Sequence, residues 1–156
     1  MTPLASPTPL IQSFITGSTG WIVLNRPERR NSLNAEMWAA IPPLMNMLDG
    51  HADVRAIVIR GAGAEAFASG ADISEFDQAR NDAAAAARYE RLNGEAFASI
   101  RGAARPVIAR IQGFCIGGGL ATGRRLVAGD AHGVGGGAPS ASSRARRRAS
   151  ICSRTS

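Results

Sequence analysis

At 156 residues, 45% of them hydrophobic, the chain is long enough for one domain with a core, which excludes disorder throughout. Its net charge of +6 invites a nucleic-acid reading, but residues 1–122 hold 11 Arg against 11 Asp plus Glu while residues 123–156 hold 7 Arg and only Asp130, so the whole excess lies in the tail. Cys115 and Cys152 follow no ligand spacing, and neither a disulfide framework nor a metal site is implied.

The opening "MTPLASPTPL" lacks the charged start and long apolar core of a secretory signal, and residues 1–9 read as a flexible lead-in. Nowhere do 18 apolar residues run together, so the expectation is a cytoplasmic protein with no membrane partner. "IQSFIT" and "GWIVLNRP", separated by "GST", predict a β-hairpin. "RPERRNSLN" is a loop closed by Asn34 as the N-cap of a helix. In that helix Met37, Ile41, Leu44 and Leu48 mark one buried face, and Pro42 and Pro43 are expected to kink or shorten it.

"VRAIVIRGAG" has the pattern of a strand buried on both faces and paired in parallel. From Ser74 to Arg101 the chain is rich in alanine and charge, with Tyr89, Leu92, Ala96 and Ile100 at helical spacing and Gly94 as a weak point. "RPVIARIQGFCIGGG" predicts a third buried strand, and Gly117 to Gly119 permit a tight turn into the next helix. Strand, helix, strand, helix, strand is the rhythm of an α/β fold. After Thr122 no apolar periodicity survives, and residues 123–156 read as a disordered basic tail.

Two segments could carry chemistry. "AFASGADISEF" follows the second buried strand, and "GFCIGGGL" follows the third. If those strands are neighbours, the turns lie side by side at the strand ends where open α/β sheets bind ligands. Two backbone N–H groups converging there would form an oxyanion hole, to which a helix starting at the glycines adds its positive end. Each segment alone is weak, since three glycines beside an apolar run more often serve packing, and the G-x-G-x-x-G and G-K-[ST] patterns are absent.

Taken together and in order, "LNRPERRNSLN", "VRAIVIRGAGAEAFASGADISEF" and "RPVIARIQGFCIGGGLA" resemble the crotonase family, the enoyl-CoA hydratase/isomerase superfamily, over about residues 10–122. The resemblance implies repeated ββα units with parallel buried strands, cut short on the C-terminal side. It also implies hydratase, isomerase or related lyase chemistry in fatty acid metabolism, and trimers or hexamers of the full-length protein. An acyl-CoA thioester would be the substrate, with no separate cofactor. Its carbonyl oxygen would be held by the N–H groups of Ala71 and Gly118. Coenzyme A would lie near Ser69, Ala71, Asp72, Ile73 and Ser74, mostly on backbone groups, with Arg29 and Arg30 near its phosphates by charge.

Several residues read as structural. Asp72 is expected to be an N-cap for the segment after "GAD" rather than a catalytic group. Ser69 has no adjacent base, which argues against a serine nucleophile. His51 follows a helix-ending "DG" and reads as a surface residue, and His132 lies in the tail.

The chain also departs from the pattern. Ala121 and Ala141 stand where hydratases of the family carry their two proton-transferring glutamates. Resemblance, periodicity and charge balance all break near Ala121, and every basic residue is arginine, as GC-rich coding DNA favours. The expectation is a truncated or frameshifted member without hydratase activity. The alternatives are a fragment that only binds coenzyme A or docks on intact relatives and, ranked last, a nucleic-acid binder acting through the tail. The tail has no aromatic residue to stack on bases.

Overall fold

The computed structural model describes residues 1–72, 74 and 83–115. Strands β2 (Ile11–Thr16) and β3 (Thr19–Leu24) form the expected hairpin, antiparallel from Ile11 opposite Leu24 to Thr16 opposite Thr19. The stretch read as a flexible lead-in contains β1 (Thr2–Leu4), which pairs antiparallel with the outer side of β2. A strand of three residues on a sheet edge carries too little periodicity to show in sequence.

Between β3 and helix α1 (Ala35–Gly50) the loop makes one 3₁₀ turn over Pro27–Arg29. It then passes through two successive left-handed residues, Arg30 (φ 50°) and Asn31 (φ 54°). Asn34 caps α1 as expected, its side-chain oxygen accepting from the Met37 N–H at 2.9 Å, a bond worth about 1 kcal/mol. Met37, Ile41, Leu44 and Leu48 are all buried, each contributing roughly 1.5–3 kcal/mol of transfer free energy. The prolines do not shorten the helix. It runs through both, because the bonds they forgo, to the Trp38 and Ala39 carbonyls, are only two, and the buried face on either side outweighs them.

Strand β4 (Ala56–Gly61) pairs in parallel with β3, and β6 (Val107–Arg110) pairs in parallel with β4, giving a five-stranded sheet in the order β1-β2-β3-β4-β6. The expectation of two buried faces for β4 is corrected. Its burial alternates, with Ile57, Ile59 and Gly61 inside and Ala56, Val58 and Arg60 half-exposed, because the buried core lies on one face of the sheet. Helix α2 (Ala83–Gly102) continues through Gly94. It packs Ala96 into the core, with Tyr89, Leu92, Phe97 and Ile100 against it.

The third predicted strand is two. After β6 the chain leaves the large sheet, turns at Gly113 (φ 68°), and enters β7 (Phe114–Cys115), which pairs in parallel with β5 (Ala66–Ala68) in a second sheet. A Cβ at position 113 would sit 1.9 Å from the Glu65 carbonyl oxygen, so only glycine lets the crossing approach β5 this closely. Among the described residues, β5 and β7, which come after the neighbouring parallel strands β4 and β6, therefore lie side by side.

Candidate functional site

The site is built where the β5 strand runs on past Ala68. The loop after β3 lies along one side of this extension: the Ser69 N–H donates to the Arg30 carbonyl (3.0 Å), the Leu33 N–H to the Gly70 carbonyl (2.8 Å), and the Asp72 N–H to the Leu33 carbonyl (2.9 Å). Leu33 and Ala71 thus form a parallel bridge. In such a bridge the residue flanked by the two bonds turns its own N–H and C=O the other way. The Ala71 N–H accordingly points away from Leu33, toward the side on which β5 pairs with β7, and has no partner among the described residues.

Asp72 is buried. Its Oδ1 accepts from the Ser74 N–H (3.0 Å) and hydroxyl (2.7 Å), the pattern of a capping carboxylate. Its Oδ2 meets the Arg26 guanidinium at 2.6 Å. The Ser74 hydroxyl and the Arg26 bond hold the carboxyl below its usual range, against the opposing effect of burial. Asp72 is therefore a fixed anion, occupied at both oxygens, and is not free to act as a general base.

Asn31 closes the back of the site. Its Oδ1 accepts from the Arg26 N–H (3.0 Å), and its amide donates to the carbonyls of Ala62 (3.0 Å) and Ala66 (2.8 Å). The Tyr89 hydroxyl donates to the Leu33 carbonyl at 3.1 Å and accepts from the Trp38 indole at 2.8 Å, tying both helices to the loop that carries Leu33.

Of the residues singled out from sequence, Ser69, Ala71, Asp72 and Ser74 come together on this extension. Ile73 and Gly118 lie outside the described residues, as do Ala121, His132, Ala141 and Cys152. The Ser69 hydroxyl donates to the Arg29 carbonyl at 3.3 Å, a bond that ties the loop in place. The Arg29 side chain is exposed and has no partner among the described residues. The Arg30 side chain is engaged, with Nε 3.0 Å from Glu65 and the guanidinium 5.5 Å above the ring of Phe114. Burial raises the Cys115 thiol above its ordinary value, away from a nucleophilic thiolate. His51 lies at the C-terminal end of α1. Among the described residues no group of three or more His, Cys, Asp or Glu could hold a metal, and no helix is long and apolar enough to cross a membrane.

Sequence reading missed the contact of Arg26 with Asp72, and it missed Asn31, Leu33 and Tyr89 as parts of the site. Arg26 and Asp72 are 46 positions apart and Leu33 and Tyr89 56, and no local spacing signals such pairs.

The sequence and the fold have close counterparts. Residues 19–129 match the model of the family described as enoyl-CoA hydratase/isomerase, so the match continues a few residues beyond the break read at 122. A mitochondrial Delta(3,5)-Delta(2,4)-dienoyl-CoA isomerase from Mus musculus is 39% identical over 108 residues, covering 64% of this chain and 33% of its own length. A short-chain-enoyl-CoA hydratase from Clostridium acetobutylicum is 29% identical over 103 residues, covering 66% of this chain and 39% of its own length. A crystal structure of a putative enoyl-CoA hydratase/isomerase family protein from Hyphomonas neptunium superposes with a TM-score of 0.73 at 42% identity, over 80% of this chain and 49% of that one. The chain spans 33% and 39% of the length of these curated relatives and about half of that solved structure. The α/β architecture with its parallel strands is that of the crotonase fold these structures share. With more than half of its residues matched, the chain belongs to the enoyl-CoA hydratase/isomerase family.

Proposed function

We propose that the chain carries an acyl-CoA thioester site in which the Ala71 N–H is one of two donors to the thioester carbonyl oxygen, Gly118 supplying the other. The observation that supports this is the direction of the Ala71 N–H, turned away from Leu33 with no partner among the described residues. A buried or half-buried backbone donor left without a protein partner is costly unless a ligand or water takes it. A donor aimed at a carbonyl on which negative charge develops stabilises the enolate, and one such bond contributes roughly 3–4 kcal/mol in the transition state. Coenzyme A would run past Ser69 and Ser74 along backbone groups, with Arg29 available to its phosphates and Arg30 shared with Glu65.

Enolate stabilisation is half of a hydratase. The other half moves a proton, and alanine stands at 121 where the resemblance places the first glutamate. Asp72 does not substitute, because both of its oxygens are taken. The expected outcome is that the chain binds butyryl-CoA and fails to hydrate crotonyl-CoA above a matched blank. Hydration above the blank would refute the assignment of an inactive site, and failure to bind any acyl-CoA would refute the thioester site itself.

A second reading rests on β6. It is the last strand of the large sheet among the described residues, with β4 on one side only. Such an edge offers backbone groups to another chain. Co-purification with an intact relative, without acyl-CoA binding, would favour docking over thioester chemistry.

A further inference from the structure

The "GAD" segment is braced by the loop after β3. Arg26, in the loop after β3, meets Asp72 at 2.6 Å, and the two side chains are only 16% and 9% exposed. The same guanidinium nitrogen lies 3.4 Å from both the carbonyl oxygen and the hydroxyl of Ser32. The Arg26 N–H is held in turn by the buried side chain of Asn31. The carboxylate is thus fixed at one oxygen by Arg26 and at the other by Ser74, while the Asp72 N–H and the Gly70 carbonyl are fixed on Leu33.

Peptide groups are planar, so the Ala71 N–H follows the Gly70 carbonyl of the same peptide, and the next peptide is held through Asp72. The Leu33 bonds set the strand's position, and the Asp72 side chain resists its rotation. An exposed ion pair would add little to this. A nearly buried one is different, because removing one partner leaves the other charge uncompensated, and the backbone must shift to let water reach it.

We propose that Arg26 is a positioning residue of the thioester site, its ion pair with Asp72 holding the Ala71 N–H in the direction that the Leu33 bridge gives it. This rests on the reading of that N–H as a donor to the thioester carbonyl. Arg26 acts through Asp72 and the peptide and is not asked to touch the substrate. Its removal should therefore weaken polarisation of the carbonyl far more than it weakens capture of coenzyme A, because hydrogen bonds fall off steeply as their angle departs from linearity.

The experiment uses the full 156-residue chain and butyryl-CoA labelled with ¹³C at the thioester carbonyl, a saturated probe on which no hydration can occur. The carbonyl resonance is compared bound and free, and the dissociation constant is measured on the same samples. The wild-type chain is expected to move the resonance downfield. Arg26→Gln is expected to lose more than half of that displacement, with a dissociation constant changed by less than about threefold. Arg26→Lys, which keeps the charge, should recover most of it. Asp72→Asn keeps the shape and the oxygen that Ser74 donates to, and puts an NH₂ donor where Arg26 needs an acceptor, so the Arg26 contact is lost. It should reproduce the Arg26→Gln result, and it decides the matter if Arg26→Gln does not fold. A full displacement in folded Arg26→Gln or Asp72→Asn overturns the inference while leaving the thioester site standing. No displacement in the wild-type chain overturns the oxyanion reading and this inference with it.

Discussion

Asn31 holds a left-handed backbone (φ 54°) with its side chain 1% exposed, and it satisfies one N–H and two carbonyls from three stretches of chain. Asparagine suits this position because it tolerates the left-handed region and carries both a donor and an acceptor. The partner it packs against is Gly61, where a Cβ would lie 2.6 Å from the Asn31 amide nitrogen and 2.3 Å from the Ala66 carbonyl oxygen. Asn31→Ala strands buried polar groups and loses asparagine's tolerance of the left-handed region, and should cost about 3 kcal/mol or more in urea unfolding. Asn31→Gly, which removes only the backbone penalty, should recover roughly 1 kcal/mol of that loss. If the two variants are equally stable, the left-handed backbone is not what selects asparagine here.

At the scale of elements, α1 and α2 meet through three aromatic residues, Trp38 of α1 and Tyr89 and Phe97 of α2. Trp38 is fully buried and stacks at a tilt against Phe97, with ring centroids 5.4 Å apart, while its indole N–H finds the Tyr89 hydroxyl at 2.8 Å. That hydroxyl also reaches the Leu33 carbonyl, so the helix pair is keyed to the loop residue that aligns Ala71. Tyr89→Phe keeps the ring and removes both bonds, leaving the Trp38 N–H buried without its acceptor. The expected loss is about 1–3 kcal/mol in thermal or urea unfolding. A change within a few tenths of a kcal/mol would mean that water replaces the hydroxyl and that the helices do not depend on this link. The two helices were legible from their apolar spacing, since helical periodicity is local. The link between them was not, because Trp38 and Tyr89 are 51 positions apart and either could have been an ordinary core aromatic.

At the scale of the molecule, two long-range carboxylate contacts close the fold and make it acid-sensitive. Asp49, at the end of α1, accepts from the backbone N–H groups of Arg105 (2.9 Å) and Ala104 (3.0 Å) ahead of β6, and these bonds, with the Arg105 charge, hold its carboxyl below the usual range. Arg105 also donates to the Val54 and His51 carbonyls, pinning the return from α2. Asp72 is lowered by Ser74 and Arg26 in the same direction. A carboxylate whose pKa is lower in the folded chain contributes stability that is fully present above its unfolded value, about 3.9, and that is lost as pH falls through the folded value. Stability should therefore be nearly level from neutral pH to about 5 as far as these groups are concerned, and fall below about 4. The double variant Asp49→Asn, Asp72→Asn should be less stable at neutral pH and show a shallower fall below 4. An unchanged slope in unfolding measured across that window would remove both contacts from the account.

The sequence by itself determined what depends on neighbours in the chain. The hairpin of Ile11 to Leu24, the Asn34 cap, the buried face from Met37 to Leu48 and the parallel strand at Ala56 to Gly61 are all set by alternation, helical spacing and turn residues within a few positions. The order of three motifs also carried the family. Tertiary structure alone decided that residues 107–115 break into two strands in different sheets, because the reason is the Glu65 carbonyl pressing on Gly113 from 48 positions away. It alone decided that Leu33 bridges Ala71 and so turns the Ala71 N–H outward, and that Arg26 meets Asp72. Those bonds join residues that only folding brings together, and their direction is a property of the packed backbone, which no periodicity encodes.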